Sequence, residues 1–423
     1  MNGGSSQYIV YKTIDLFLAV LMFMGFVCYL PMLLGVNYIA IGMGMFLLII
    51  FLYVVRRNGR IGLAKKSGLR VYVTSMLLFF YCLVQSIVLK SDRLQIAIQT
   101  CILLMFAVTF FYIILSDRKM KALFIKTMYA VLMFFSVSYI VSVLLMLAGG
   151  WERIFITSFD YGYFTETKIF FPFTTTYGSM AFNGIVFRRL LGFARESGIM
   201  QIFYIWAFFM ADKYYIRPGW IRFFMAIGVA GCLSTAGFVV FGISLILYLD
   251  MNKVFSRKTL LIFMLFAVVI YILFYAQGTR VVDRASGTIE QRMLGIEYGL
   301  SVFKEHPILG GGFYSTLGDA NIQSGICALA SLGQVGIIGI GLWIFIFVFA
   351  FIDSKNKKRF LYTNAALFIT ALFAQPMVFA PVMYWFLFVD YDDSRVVLVR
   401  HNSKKERQLL RGVNNEGFRD KQC

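Results

Sequence analysis

Charge is scarce in this chain, at 14% of 423 positions, and histidine occurs only twice. Hydrophobic residues make up 60% and mean hydropathy is +0.77, whereas ordinary soluble domains carry about a quarter charged residues. This composition excludes a water-soluble core and implies an integral membrane protein. Ionisable groups are nearly missing from the apolar runs. Asp15 and Arg222 fall at run ends, and nothing charged lies between Phe223 and Leu249 or between Leu361 and Val389. A coupled transporter needs such groups along its pathway, with broken helices matched in repeated halves, and neither pattern is visible. The six cysteines show neither disulfide nor metal-ligand spacing.

What the sequence does contain is a series of long apolar runs, such as Ile14 to Leu30 and Leu94 to Leu115. Their continuity excludes a transmembrane β-barrel, which reads as short alternating segments. The first run is too long for a signal-peptide core and no small-residue cleavage site follows it, so it reads as a first span. Hydropathy places spans near 14–30, 37–55, 71–89, 94–115, 127–147, 199–211, 219–233, 236–249, 259–276, 326–352, 361–374 and 377–389. The expected fold class is therefore all-α, polytopic, with about twelve transmembrane helices.

The net charge of +19 raises a nucleic-acid reading, and its distribution argues against it. The loop from Arg56 to Arg70 holds Arg56, Arg57, Arg60, Lys65, Lys66 and Arg70 without an acid, and so belongs in the cytoplasm. Alternation from there places most other bases inside, with both termini cytoplasmic, so membrane topology accounts for the charge. No nucleic-acid partner is expected. The segment from Gly219 to Leu249 is read as two short helices turning at Ser234-Thr235-Ala236-Gly237. One helix would run about 46 Å against about 30 Å of hydrocarbon, and would put the basic loop Lys253, Arg257, Lys258 outside.

The chain thus divides into a five-helix membrane part (1–147), a first large outer loop (148–198) and membrane helices including a short hairpin (199–276). A second large outer loop (277–325), C-terminal membrane helices (326–390) and a basic cytoplasmic tail (391–423) follow. The chemistry is expected in the two long loops. Both are rich in aromatics and glycine, unlike disordered segments. The first carries Trp151, Phe155, Phe159, Phe170, Phe171 and Phe173, rings that stack on sugars or belt the lipid interface. It ends in Arg188-Arg189-Leu190-Leu191-Gly192-Phe193-Ala194-Arg195-Glu196-Ser197-Gly198.

The second loop carries Arg280, Arg284, Glu290 and Arg292, then a helical period from Ile289 to Phe303 that His306-Pro307 ends. Arginine suits bidentate phosphate recognition, so Arg188, Arg189, Arg195, Arg280, Arg284 and Arg292 are candidate diphosphate ligands. Surface pairing with Glu196, Asp283, Glu290 or Glu297 is the plainer alternative. Gly310, Gly311 and Gly312 could bring backbone N–H groups to a phosphate.

Arg189-x-x-Gly192, Arg195-Glu196-x-Gly198, the Ser/Thr-Gly turn between short helices, and His306-Pro307-x-Leu309-Gly310-x-Gly312 occur in that order. Together they resemble the O-antigen polymerase and ligase family over roughly Ala181 to Val348. The resemblance implies a glycosyltransferase of the bacterial inner membrane that uses polyprenyl-diphosphate-linked oligosaccharides on its outer face, without a metal or other cofactor. It implies membrane lipid, a chain-length regulator and a flippase of the same pathway as partners.

Arg189, Arg195, Arg280 and Arg284 would stabilise the lipid-diphosphate leaving group. Glu196 and His306 are the candidate bases for the attacking sugar hydroxyl, and His306 before Pro307 could equally orient a turn. Arg188, Arg292 and Asn321 complete the expected substrate contacts. The chain departs from the family pattern at Glu196-Ser197, where many members have Glu-Pro, and at Thr235-Ala236, where many have Ser-Arg. Ala320-Asn321 stands where ligases commonly have His-Asn. This last change favours a repeat-unit polymerase over a ligase, with a lipid-linked oligosaccharide flippase as the third reading.

Overall fold

A computed structural model describes residues 6–29, 39–56, 68–91, 93–159, 167–182, 185–194, 196–252, 293–313, 327–373 and 381–401. The structure is mostly helical. Strand β1 (Ser6–Tyr11) leads into α1 (Thr13–Tyr29), α2 (Ile39–Arg56), α3 (Leu69–Val88), α4 (Leu94–Ser116) and α5 (Arg118–Gly149). After strands β2 (Phe155–Phe159), β3 (Thr167–Phe170), β4 (Thr174–Phe182) and β5 (Ile185–Leu190), helices resume with α6 (Ser197–Tyr214), α7 (Pro218–Gly231) and α8 (Thr235–Met251). The remaining elements are α9 (293–305), α10 (Ala328–Asp353), α11 (Lys357–Phe373), α12 (Pro381–Leu387) and β6 (Arg395–Arg400).

Among the described residues, four helices are long and apolar enough to cross a membrane: α3, α4, α5 and α10. Shorter apolar helices cover Thr13–Cys28, Ile41–Arg56 and Thr235–Met251. Apolar composition starts these helices, and polar caps fix some of their ends. Asp117, in extended conformation before α5, accepts from the N–H groups of Lys119 and Met120 at 2.8 and 3.4 Å, satisfying two of the donors a helix start leaves over.

The interior is strongly aromatic. Phe23, Phe26, Phe124, Phe203, Trp206 and Trp385 pack mainly edge to face or tilted, the arrangement that the ring quadrupole favours. Outward faces keep large apolar side chains exposed, including Phe51, Phe80, Leu144 and Phe345, as expected of a surface that faces lipid.

The two ends of the bundle differ in chemistry. One gathers ion pairs at helix termini: Asp15 with Arg56 and with Lys119 (3.5 Å), Lys121 with Asp390 (3.2 Å), Lys213 with Asp392, and Arg359 with Asp212 (2.9 Å). Asp15, which the sequence places at the edge of a span, is only 1% exposed and held by cations from two other helices. The expected basic tail supplies β6 at this end. It pairs in parallel with β1, from Ser6 opposite Arg395 to Tyr11 opposite Arg400.

The other end carries an antiparallel sheet in the order β2-β3-β4-β5. The all-α expectation therefore fails for the first large loop. Its β-branched and aromatic residues form a meander, because a sheet can satisfy its own backbone while packing one face on the bundle. Between α7 and α8 the chain turns at Leu233 and Ser234. Arg222 near the start of α7 lies 5.9 Å over the rings of both Phe208 and Tyr248, so the beginning of α7 and the end of α8 meet at one end.

Candidate functional site

The sheet is fastened to α5 by buried hydroxyls. Thr174, fully buried at the start of β4, lies 2.6 Å from Ser138 and 2.7 Å from Ser142, and Ser142 donates to the Phe171 carbonyl at 2.7 Å. Tyr139 donates its hydroxyl to the Arg188 carbonyl at 3.0 Å, and Trp151 Nε1 donates to the Val186 carbonyl at 2.7 Å. These bonds hold β5 against the helical body and fix where its arginines stand.

Adjacent residues of a strand project to opposite faces, and the arginine pair separates accordingly. The guanidinium of Arg188 lies over Phe170 at 4.9 Å and Trp151 at 5.9 Å, within reach of the aromatic quadrupole. Arg189 turns the other way, and its Nε donates to the Cys232 carbonyl at 3.4 Å, where α7 breaks from α8. Arg189 thus stands beside the end of α7, next to the Ser234–Gly237 turn.

Gly192 explains the spacing that follows. With φ of +61° it takes a left-handed conformation that a side chain would strain, and its carbonyl accepts from Thr175 Oγ1 at 2.6 Å. That turn carries the chain from β5 into α6 and inserts Phe193 among Phe23, Phe26 and Phe203, at ring separations of 5.3, 6.3 and 4.9 Å. Glu196 is the N-cap residue of α6. Its carbonyl accepts from Ile199 and Met200 at 3.0 Å each, and its half-exposed carboxylate does not close on the helix's own first turn. The structure thus gathers Arg189, Glu196 at the start of α6, and the α7–α8 turn at the sheet-bearing end.

Gln201, one turn into α6, has no distinguishing sequence signal. It is 1% exposed, and among the described residues neither its amide oxygen nor its amide nitrogen has a hydrogen-bond partner. Its amide rests on Gly237, where a Cβ would stand 1.6 Å from Oε1, so the glycine of the turn makes room for this side chain.

The glycines of the second loop do something other than expected. The N–H groups of Gly310, Gly311 and Gly312 donate to the carbonyls of His306, Gly333 and Gln334 at 2.8, 2.8 and 3.1 Å. They are therefore not presented to a phosphate. They close a backbone knot against α10, which breaks at Gly336 with φ 63°.

The break frees carbonyls that apolar surroundings would leave unsatisfied. Tyr81 donates to Leu309 and Val335 at 3.0 and 2.9 Å, and Gln85 donates to Gln334 at 2.7 Å and to Leu309. Ile337 donates back to the Pro307 carbonyl at 3.0 Å. His306 is exposed at the end of α9. Its N–H bonds to the Val302 carbonyl at 2.9 Å and its carbonyl receives Gly310, so its backbone serves the turn.

Arg195, Arg280, Arg284, Arg292 and Asn321 lie outside the described residues, as does Glu290. Among the described residues no group of three or more His, Cys, Asp or Glu side chains is placed to hold a metal ion. The acidic run Asp390-Tyr391-Asp392 belongs to the opposite end, where Lys121 and Lys213 engage it. No family model matches the chain, and neither a curated protein nor a solved structure is similar to it.

Proposed function

We propose that this chain is a polysaccharide repeat-unit polymerase, transferring a growing glycan from polyprenyl diphosphate to a new lipid-linked repeat unit at the outer face of a bacterial inner membrane. The observation that carries the reading is the position of Arg189, held by β5 against the α7–α8 turn at the end of the bundle opposite the ion-paired termini. The pairing of β1 with β6 sets Ser6–Tyr11 beside Arg395–Arg400, and an even number of crossings between them, as in the proposed twelve-span topology with cytoplasmic termini, would allow this.

In the proposed reaction an acceptor sugar hydroxyl attacks the anomeric carbon of the donor. A new glycosidic C–O bond forms, the bond to the diphosphate breaks, and the hydroxyl proton passes to the carboxylate of Glu196. Arg189, joined by Arg195, Arg280 and Arg284, stabilises the charge developing on the departing lipid diphosphate. His306 serves as the alternative base, with Arg292 and Asn321 as glycan contacts. Arg188, packed on Phe170 and Trp151, has a positioning role in this scheme. The glycine knot is assigned to holding the second loop on α10.

Deleting the gene in its host, then sizing surface polysaccharide and lipid-linked intermediates on a ladder, tests the reading. Loss of long chains with persistence of single repeat units supports polymerisation. Accumulation of long lipid-linked chains makes the protein a ligase, and repeat units trapped on the cytoplasmic face make it a flippase.

A further inference from the structure

Helix α8 begins at a chain reversal with its positive end directed into the site. Ser234 caps it from an extended conformation (φ −102°, ψ 117°), and its Oγ accepts from the Gly237 N–H at 3.4 Å. The first turn of a helix leaves N–H groups without intrahelical partners, and among the described residues those of Thr235 and Ala236 have no acceptor. Both residues are half-buried. The aligned peptide dipoles add positive potential at this point.

Two further groups face the same turn. Arg189 reaches it from β5 through the Cys232 carbonyl, adding a full positive charge next to the positive end of the helix. Gln201 reaches it from α6, with its 1% exposed amide laid on Gly237 and both polar atoms lacking a partner among the described residues. An amide in that condition destabilises the empty site, because a buried polar group without a hydrogen bond has lost water and gained nothing. A tetrahedral oxyanion would accept from the helix N–H groups, the guanidinium and the amide nitrogen, relieving the donors of the turn and of Gln201.

We infer that the N-terminus of α8, with Gln201 and Arg189, is a phosphate-binding site, and that Gln201 is a ligand-positioning residue. The inference deepens the transferase reading, on which it rests for the identity of the ligand: a diphosphate carried by a lipid. The binding chemistry is shared by free pyrophosphate, so the two sources are separated by experiment.

Calorimetric titration of the full chain in dodecyl maltoside, with inorganic pyrophosphate and separately with farnesyl diphosphate, tests the site. Saturable binding of at least one probe is expected. Gln201→Leu is expected to weaken it about tenfold, the size of one lost hydrogen bond to a charged group. The same change removes the unsatisfied amide, so the ligand-free protein should melt no lower than wild type.

Thr235→Pro removes one N–H at a helix position that accepts proline, and is expected to weaken binding similarly while Thr235→Ala does not. Binding of farnesyl diphosphate alone identifies the lipid-borne form; equal binding of both probes identifies the phosphate group as sufficient. Absence of binding to either probe overturns the inference, as does wild-type affinity in both Gln201→Leu and Thr235→Pro. A protein that binds through these residues but transfers no glycan retains the site and refutes the polymerase, whereas unchanged affinities in an active polymerase refute the site alone.

Discussion

Replacing Asp392 with asparagine should destabilise the protein by about 3 kcal/mol, because it strands a buried cation. The Lys213 side chain is 2% exposed and Asp392 15%, and the ammonium of Lys213 donates to the Asp392 carboxylate and to the Asp390 carbonyl. Removing one partner of a buried pair costs about 3–5 kcal/mol. The lower end applies here, since asparagine keeps an acceptor oxygen and the Asp390 carbonyl remains. Burial disfavours the ionised Asp392, yet the charge of the Lys213 ammonium and its hydrogen bond outweigh it and hold the carboxyl below its usual value.

A lowered folded pKa contributes stability that is complete above the unfolded aspartate value of about 3.9 and is lost as pH falls through the folded value. Unfolding in dodecyl maltoside micelles titrated with dodecyl sulfate should show the full deficit of Asp392→Asn at pH 7. That deficit should shrink as pH falls through the aspartate range. Combining it with Lys213→Met removes both charges and should return stability to within about 1 kcal/mol of wild type. A single variant within about 0.5 kcal/mol of wild type at pH 7, or a double variant no better than the single, would refute the reasoning.

Phe193→Ala should cost about 3–5 kcal/mol by emptying the aromatic slot that seats the β5–α6 corner, read in the same titration. Gly336→Ala should abolish the folded state or lower its melting temperature sharply, since a Cβ there would lie 2.3 Å from the Ile308 carbonyl oxygen at a left-handed φ. Recovery of wild-type yield and melting temperature would contradict the knot. Gln85→Leu leaves the Leu309 carbonyl with Tyr81 and the Gln334 carbonyl with Gly312, so a moderate loss of about 1–3 kcal/mol is expected. An unchanged stability would show that these bonds contribute nothing.

Much of the helical framework is legible because burial in lipid leaves a long, unmixed apolar signal. The division of the Gly219–Leu249 segment is read from length and charge alone, and the chain turns at Leu233 and Ser234. The sheet was hidden because its aromatics and threonines fit a loop, an interface belt or strands equally well, and strand pairing is a non-local property. The roles of Gly310, Gly311 and Gly312 are hidden in the sequence for a related reason. A three-glycine run permits close approach of a phosphate or of another backbone, and only the neighbouring turn of α10 decides between them. Arg188 and Arg189 are indistinguishable in sequence, while the alternation of β5 gives them different neighbours. Gln201 left no trace, since a single amide among apolar residues reads as an ordinary helix position.

The parallel ribbon of Ser6–Tyr11 with Arg395–Arg400 sets a condition on biosynthesis. Strand β1 is synthesised long before its partner. At about 5–20 residues per second, its open edge therefore waits about 20–80 s during synthesis of the intervening chain. Only a chain made through to β6 can close the ribbon over the Lys121–Asp390 and Lys213–Asp392 pairs. A chain that stops short of β6 keeps an unpaired strand and uncompensated lysines at one end of the bundle.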